Sequence, residues 1–273
     1  MQNLHEVMRD SAVSGALSRR RWLAAAAGLA GGMLPARARS GTADAPVRVA
    51  AASDLKFALA DVVSQFQKAS GFSVSVTLGS SGNFMRQIRQ GLPVELFLSA
   101  DEALVNELAA AGLTRDAGAL YAIGRIALIA PRASTLALDA ELRGLQAQWD
   151  SVGKFAIANP DHAPYGRAAR QALENLGLWS RVQPKLVLGE NIAQATQFVT
   201  TGAAQAGLTA LSLALAPELA PQLRYVTLPD SLHAPLRQRM VLLKHAGPGA
   251  VALYEYLQTP AARAVLRHYG FAA

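Results

Sequence analysis

The sequence predicts an α/β protein of two lobes, each a mainly parallel sheet flanked by helices, with a ligand cleft between them. Three observations predict it. Strand-like apolar runs alternate with helix-like segments from Val47 onward, which implies parallel sheets with helices on both faces. The alternation pauses after Pro131 and restarts near Lys154, and two rounds of about 100 residues suit two lobes. The junctions from strand to helix are built of small hydroxyl residues and glycine, at the sheet edge where open α/β folds hold ligands.

Taken in order, residues 47–52 read as a strand and 55–68 as the helix that follows. Alternation at Val74 and Val76 makes 72–78 a strand, with a short helix at 83–90. Residues 94–99 form a buried strand, 102–111 a helix closed by Gly112, and 125–130 a strand that Pro131 ends. In the second half, 154–158 is a strand and 166–176 a helix with Gly177 beyond it. Residues 185–188, 205–211 and 223–228 read as strands around a helix at 192–200. A strand at 240–243 and helices at 250–256 and 261–269 close the chain. The implied lobes are 46–125 plus 236–273 and, between them, 126–235.

The chain has 273 residues, 51% hydrophobic and 16% charged, and no cysteine. That composition is globular, and it excludes disulfides, thiol chemistry and thiolate metal sites. Residues 1–38 read as an export signal. Ser18-Arg19-Arg20-Arg21-Trp22-Leu23 precedes an apolar run and then Ala36-Arg37-Ala38, the basic region, apolar core and A-x-A site of a cleavable leader. The twin arginine resembles the address read by the Tat pathway. At about 13 residues the apolar run is too short to span a bilayer, which needs roughly 20. Periplasmic localisation follows. Residues 1–38 hold five of the 26 basic and two of the 19 acidic residues, which leaves 21 and 17, a net of +4. No basic stripe with interleaved aromatics is present, so nucleic acid is not an expected partner.

Two junctions carry the chemistry. Ser53 follows Val47-Arg-Val-Ala-Ala-Ala, and Ser80 and Ser81 stand between Gly79 and Gly82. A serine there leaves its hydroxyl and the first free N–H groups of a helix facing outward. Two such junctions side by side make a neutral, donor-rich pocket suited to an anion. Ser53 alone reads better as a plain helix cap than as a ligand contact, since such caps are common at helix starts. The Gly-Ser-Ser-Gly turn reads as a nest of donors or as an ordinary polar loop. In the second half, Pro164-Tyr165-Gly166 and Gly189-Glu190-Asn191-Ile192 are further junctions, which capping explains as well as binding does. Tyr165 is the sharper candidate, since a phenol at a helix start donates without carrying charge. Asp54, beside Ser53, keeps phosphate open as a ligand because it offers an acceptor; the expected placement turns its charge away, toward the helix dipole.

Ala51-Ala-Ser-Asp-Leu-Lys-Phe-Ala-Leu, Gly79-Ser-Ser-Gly-Asn-Phe with Arg86-Gln-Ile, Glu95-Leu-Phe-Leu-Ser-Ala-Asp, Leu128-Ile-Ala-Pro, Asn159-Pro-Asp-His-Ala-Pro-Tyr-Gly and Glu190-Asn follow one another in order. Together they resemble the periplasmic molybdate-binding proteins of ABC transporters over nearly all of the chain past residue 38. The resemblance implies a hinged fold that closes on molybdate or tungstate and presents it to a membrane permease, as a monomer without a cofactor. It further implies that Ser53 and Ser81 supply hydroxyl and backbone donors, Tyr165 a donor from the second lobe, and the N–H of Ile192 the last. These four would touch the oxygens of the oxyanion rather than ligate a metal directly. One departure is Ala210, where some members carry a ligand-contacting tyrosine; Tyr165 is the expected substitute for that hydroxyl.

A dianion in a neutral cage is physically sound. Hydrogen bonds to charged acceptors contribute about 1.5–3 kcal/mol each, and helix N-termini add potential without a cation to desolvate. Sulfate satisfies the same donors, and sequence does not measure the cavity. A serine hydrolase is the rival from another class, but none of His162, His233, His245 or His268 is tied by sequence context to Ser53 or Ser81. Asp161-His162 is too small a set for a metal. Lys56 and Arg167, near helix starts, read as solvated rim residues.

Overall fold

A computed structural model describes residues 45–273; the leader expected over 1–38 lies outside the described residues. The first sheet collects β1 (Val47–Ala52), β2 (Val74–Gly79), β3 (Leu96–Ser99) and β4 (Ala119–Gly124), interleaved with α1 (Lys56–Ser70), α2 (Ser81–Arg89) and α3 (Glu102–Ala110). Then follow β5 (Ile126–Pro131), α4 (Arg143–Ala147), β6 (Phe155–Ala158), α5 (Pro164–Asn175), α6 (Trp179–Val182), β7 (Leu186–Gly189) and α7 (Ile192–Thr200). The chain ends through β8 (Ala206–Ala210), α8 (Leu211–Ala214), β9 (Leu223–Thr227), β10 (Leu236–Leu242), α9 (Pro248–Tyr256) and α10 (Pro260–His268).

The strand orders are β2-β1-β3-β10-β4 and β7-β6-β8-β5-β9. In the first sheet β10 runs antiparallel to both β3 and β4, and in the second β5 runs antiparallel to both β8 and β9. Each sheet therefore has four strands of one sense and one reversed, as a mainly parallel sheet requires. The chain passes from one sheet to the other at Arg125, between β4 and β5, and returns between β9 and β10.

Burial explains the elements. Strand β1 buries every residue but Arg48, because helices cover both faces of a central parallel strand. Strand β2, at the edge, alternates half-buried and exposed residues. Helix α1 buries Ala58, Leu59, Val62, Val63 and Phe66, the spacing of one apolar face. Two large apolar clusters lie on the two sheets, one around Leu59, Leu98 and Met240, the other around Leu128, Phe155 and Leu173. A few residues cross over, Ala52, Ala100 and Leu236 into the second and Ala216 into the first.

Strand β4 is absent from the sequence reading. Residues 119–130 form one apolar run broken only at Gly124-Arg125, and the chain uses that break to leave one sheet and enter the other. The expected strand at 240–243 starts four residues earlier, since Leu236–Met240 pair with β4 across a bulge at Gln238/Arg239. Leu128 is fully buried in β5. Leu128→Ala is expected to cost about 2–5 kcal/mol, read as a lower midpoint in urea unfolding.

Candidate functional site

Four chain segments start helices or turns at the facing edges of the two sheets. Strand β1 ends in a short 3-10 turn, Ser53–Leu55, and β2 runs into α2 at Ser81. From the other sheet, β6 leads through residues 159–163 to α5, and β7 leads through Glu190 and Asn191 to α7. Pro164 opens α5 at a position where its missing N–H is not needed. Asn191 caps α7, its side chain accepting from Gln194 N at 3.1 Å.

These segments line one small cavity of about 10 Å³, far below the ~300–1,000 Å³ usual for organic ligands. Ser53, Asp54, Ser81, Tyr165 and Ile192 all line it, so the structure brings the five expected residues together. No arginine, lysine or histidine lines it. Ser53 and Asn191 also line an open outer groove, with Lys56 and Gln194 on its walls.

The hydroxyls are set by their neighbours. Ser53 Oγ accepts from Ala193 N at 3.2 Å, across the cleft, and Ser81 Oγ accepts from Ala100 N at 3.0 Å. A hydroxyl that accepts from an amide keeps its own proton to donate. Ser53 thus does not act as the local helix cap that its position allows: no side-chain cap bond forms at this turn. Among the first-turn amides, Gly82 N donates to His162 O, while Ala193 N and Gln194 N are taken as above. The first helical amides of Ser81, Tyr165 and Ile192 have no intrahelical partner.

Two expectations need correction. Asp54 lies in the first turn of the 3-10 segment as expected, with the backbone N–H groups of Asp54 and Leu55 acting on its carboxylate. It is not turned away from the pocket, however: it is 1% exposed and lines the cavity. Its Oδ2 accepts from the Tyr165 hydroxyl at 3.0 Å and from Gln238 Nε2 at 2.6 Å. The Tyr165 phenol is accordingly committed to Asp54, and does not stand free in place of the hydroxyl that Ala210 lacks. Burial and the nearby Asp54 charge hold the phenols of Tyr165 and Tyr121 well above their ordinary value, so both stay protonated. Lys56 is exposed, as a rim residue should be, but Arg167 pairs with Asp101 across the cleft.

Sequence reasoning missed the bonds that hold the lobes together. Ser80 Oγ donates to His162 O at 2.6 Å, which makes His162 Nδ1, 3.0 Å from the same oxygen, the donor of that second contact. Nε2 of His162 lies 3.5 Å from Glu190, which also accepts from Asn83. A serine, a histidine and a glutamate in series have the cast of a hydrolase, yet the Ser80 proton points at a carbonyl rather than at the imidazole. The set is a latch. Among the described residues no group of three or more His, Asp or Glu gathers to hold a metal.

Two sheets facing each other across a small, donor-lined cavity define a two-lobed binding protein for a small solute. The chain belongs to the bacterial extracellular solute-binding proteins, whose family model matches residues 47–272. The molybdate-binding protein ModA of Azotobacter vinelandii is 36% identical over 230 residues, 83% of this chain and 90% of that protein. ModA of Rhodobacter capsulatus is 34% identical over 209 residues, 76% of this chain and 80% of that protein. In structure, the periplasmic molybdate-binding protein of Azotobacter vinelandii matches with a TM-score of 0.76 at 29% identity, over 83% of this chain and 99% of that one. The sulfate-binding protein SubI of Mycobacterium tuberculosis shares the fold, with a TM-score of 0.67 at 14% identity over 83% of this chain and 86% of that one.

Gly82 sets how closely the lobes approach. A Cβ there would stand 2.4 Å from His162 O, a backbone atom of the opposite lobe. Gly82→Ala is expected to hold the lobes apart, seen as a larger radius of gyration in small-angle scattering and weaker ligand binding with little change in melting temperature.

Proposed function

We propose that the protein captures molybdate, and tungstate with it, and delivers the ion to the permease of an ABC importer. It acts as a monomer in the periplasm after Tat export and loss of residues 1–38. Residues 46–125 plus 236–273 form one lobe and 126–235 the other. Ser53 and Ser81 donate through hydroxyl and backbone, and Tyr165 and Ile192 through backbone N–H from the second lobe. The observation that carries this reading is the convergence of these donors on one cavity without a cation, supported by relatives named for molybdate.

The physics follows from the donor set. A tetrahedral dianion offers only acceptors, and this cavity's serines and first-turn amides offer donors. Helix N-termini add favourable potential that no salt bridge need supply. Closure assembles donors from both lobes, so an open form has half a site and binds weakly. No covalent step is needed, and no base is placed to activate Ser53 or Ser81.

A melting screen of the protein without residues 1–38 tests the reading. A ligand that binds the native form stabilises it by RT ln(1 + [L]/Kd). Molybdate and tungstate are expected to raise the melting temperature well above the effect of phosphate or an organic acid. A rise with sulfate alone would replace molybdate by sulfate, and release of product from an ester would restore the enzyme reading. Ser81→Ala is expected to weaken molybdate binding roughly 10- to 150-fold by titration calorimetry, the loss of one hydrogen bond to a charged acceptor.

A further inference from the structure

The single carboxylate lining the cavity is the group the oxyanion reading does not absorb. Asp54 is buried among donors meant for a dianion, with no cation lining the space to offset its charge. Two like charges in a desolvated pocket repel strongly.

The surrounding bonds say where a proton on Asp54 would sit. The Tyr121 hydroxyl donates to Gln238 Oε1 at 2.8 Å, which turns Gln238 Nε2 toward Asp54 and Tyr165. Tyr165 accepts from Gln238 at 3.0 Å, so its one proton goes to Asp54 Oδ2. Oδ2 therefore already holds two donors. Oδ1 is buried and makes no hydrogen bond of good geometry, although the backbone N–H groups of Asp54 and Leu55 act on the carboxylate. A bare carboxylate oxygen left so is costly, whereas a carboxyl O–H is one more donor.

We propose that Asp54 is protonated on Oδ1 when the lobes are closed and donates that proton to the bound oxyanion, so that capture takes up a proton and alkaline conditions favour release. The proposal rests on the oxyanion reading above. The groups packed on Asp54 are Tyr165 of α5, Gln238 of β10, Tyr121 of β4 and Ser212 of α8, whose hydroxyl donates to Asp54 O at 2.8 Å. None is cationic. Burial pushes the carboxyl up to about 6, against the lowering effect of the Gln238 and Tyr165 bonds and of the backbone N–H groups of Asp54 and Leu55, and a dianion at the same site pushes it further. Opening removes Tyr165 and admits water, returning the group toward an ordinary ~3.9. The closed form thus binds the proton more tightly, and affinity falls as pH rises, by about tenfold per unit wherever one proton is taken up.

Titration calorimetry of the protein without residues 1–38, with molybdate and separately with sulfate from pH 5.5 to 8, in buffers of different ionisation enthalpy, counts the protons. Uptake approaching one proton per ion and an affinity that drops with pH are expected. Asp54→Asn keeps an oxygen for Tyr165 and Gln238 and puts N–H where the O–H stood, so it is expected to bind with no proton uptake and no pH slope. Wild-type binding without proton uptake overturns the proposal and leaves the oxyanion reading intact. Tighter binding of hydrogen phosphate than of molybdate and sulfate, titrated in the same way, also overturns the proposal and makes Asp54 an ionised acceptor. An absence of heat with every oxyanion tested overturns both.

Discussion

The first turn of a helix has amides that the helix itself does not satisfy, and the site depends on where this chain puts them. Helices α2, α5 and α7 all begin at the carboxyl ends of parallel strands, because a βα unit can begin its helix nowhere else. With the two sheets turned edge to edge, those beginnings meet. The 3-10 turn at Ser53 adds a fourth. The cavity is therefore a consequence of topology, and side chains adjust it: serine where a hydroxyl helps, alanine and glycine where backbone must come close.

Polar bonds cross the cleft beside apolar contacts that also join the lobes, such as Ala52, Ala100 and Leu236 in the second sheet's cluster and Ala216 in the first's. Ser80 with His162, Asn83 with Glu190, Arg167 with Asp101 and Ser53 with Ala193 all cross the cleft. Each exchanges with water on opening, so its net worth is modest, about 0.5–1.5 kcal/mol for a neutral hydrogen bond. Such a set favours a defined closed geometry while leaving the lobes able to part. Tyr165 and Gln238 link this closure to the hinge, since a Cβ on Gly124, the last residue of β4, would meet both side chains within 2.7 Å.

The parts legible in the sequence are those governed by local pattern. Val47–Ala52 and Ile192–Thr200 match the expected strand and helix at both ends, because an apolar run with a turn signal and a capped amphipathic segment are local signals. Ser53 and Ser81 were visible for the same reason. What sequence could not show depended on residues far apart. Strand β4 is defined by its pairing with β10, more than 100 residues later. The fate of Asp54 is set by Tyr165 and Gln238, 111 and 184 residues away. A rule based on its neighbours placed it in a first helical turn, where it does sit, but turned its charge away from the cavity that it lines. The Ser80–His162 contact spans 82 residues, and only the faint hint of a histidine in a Pro-bounded turn preceded it.

A neutral cage and a buried carboxylate look contradictory, and the resolution bears on release. A cage of fixed donors binds as tightly as its hydrogen bonds allow, and each closed conformer holds its ion until thermal opening. A carboxyl that gains and loses a proton in the same cavity as the ion changes that: with the proton it is another donor, without it a repelling charge. One proton thus shifts Asp54 between holding the ion and expelling it, using no motion beyond the opening that the hinge already provides. The two tyrosines suit this arrangement, because both are themselves held protonated and cannot take the charge in its place. The network around Oδ2 keeps the carboxyl oriented in either state, so the switch acts on charge while geometry stays fixed.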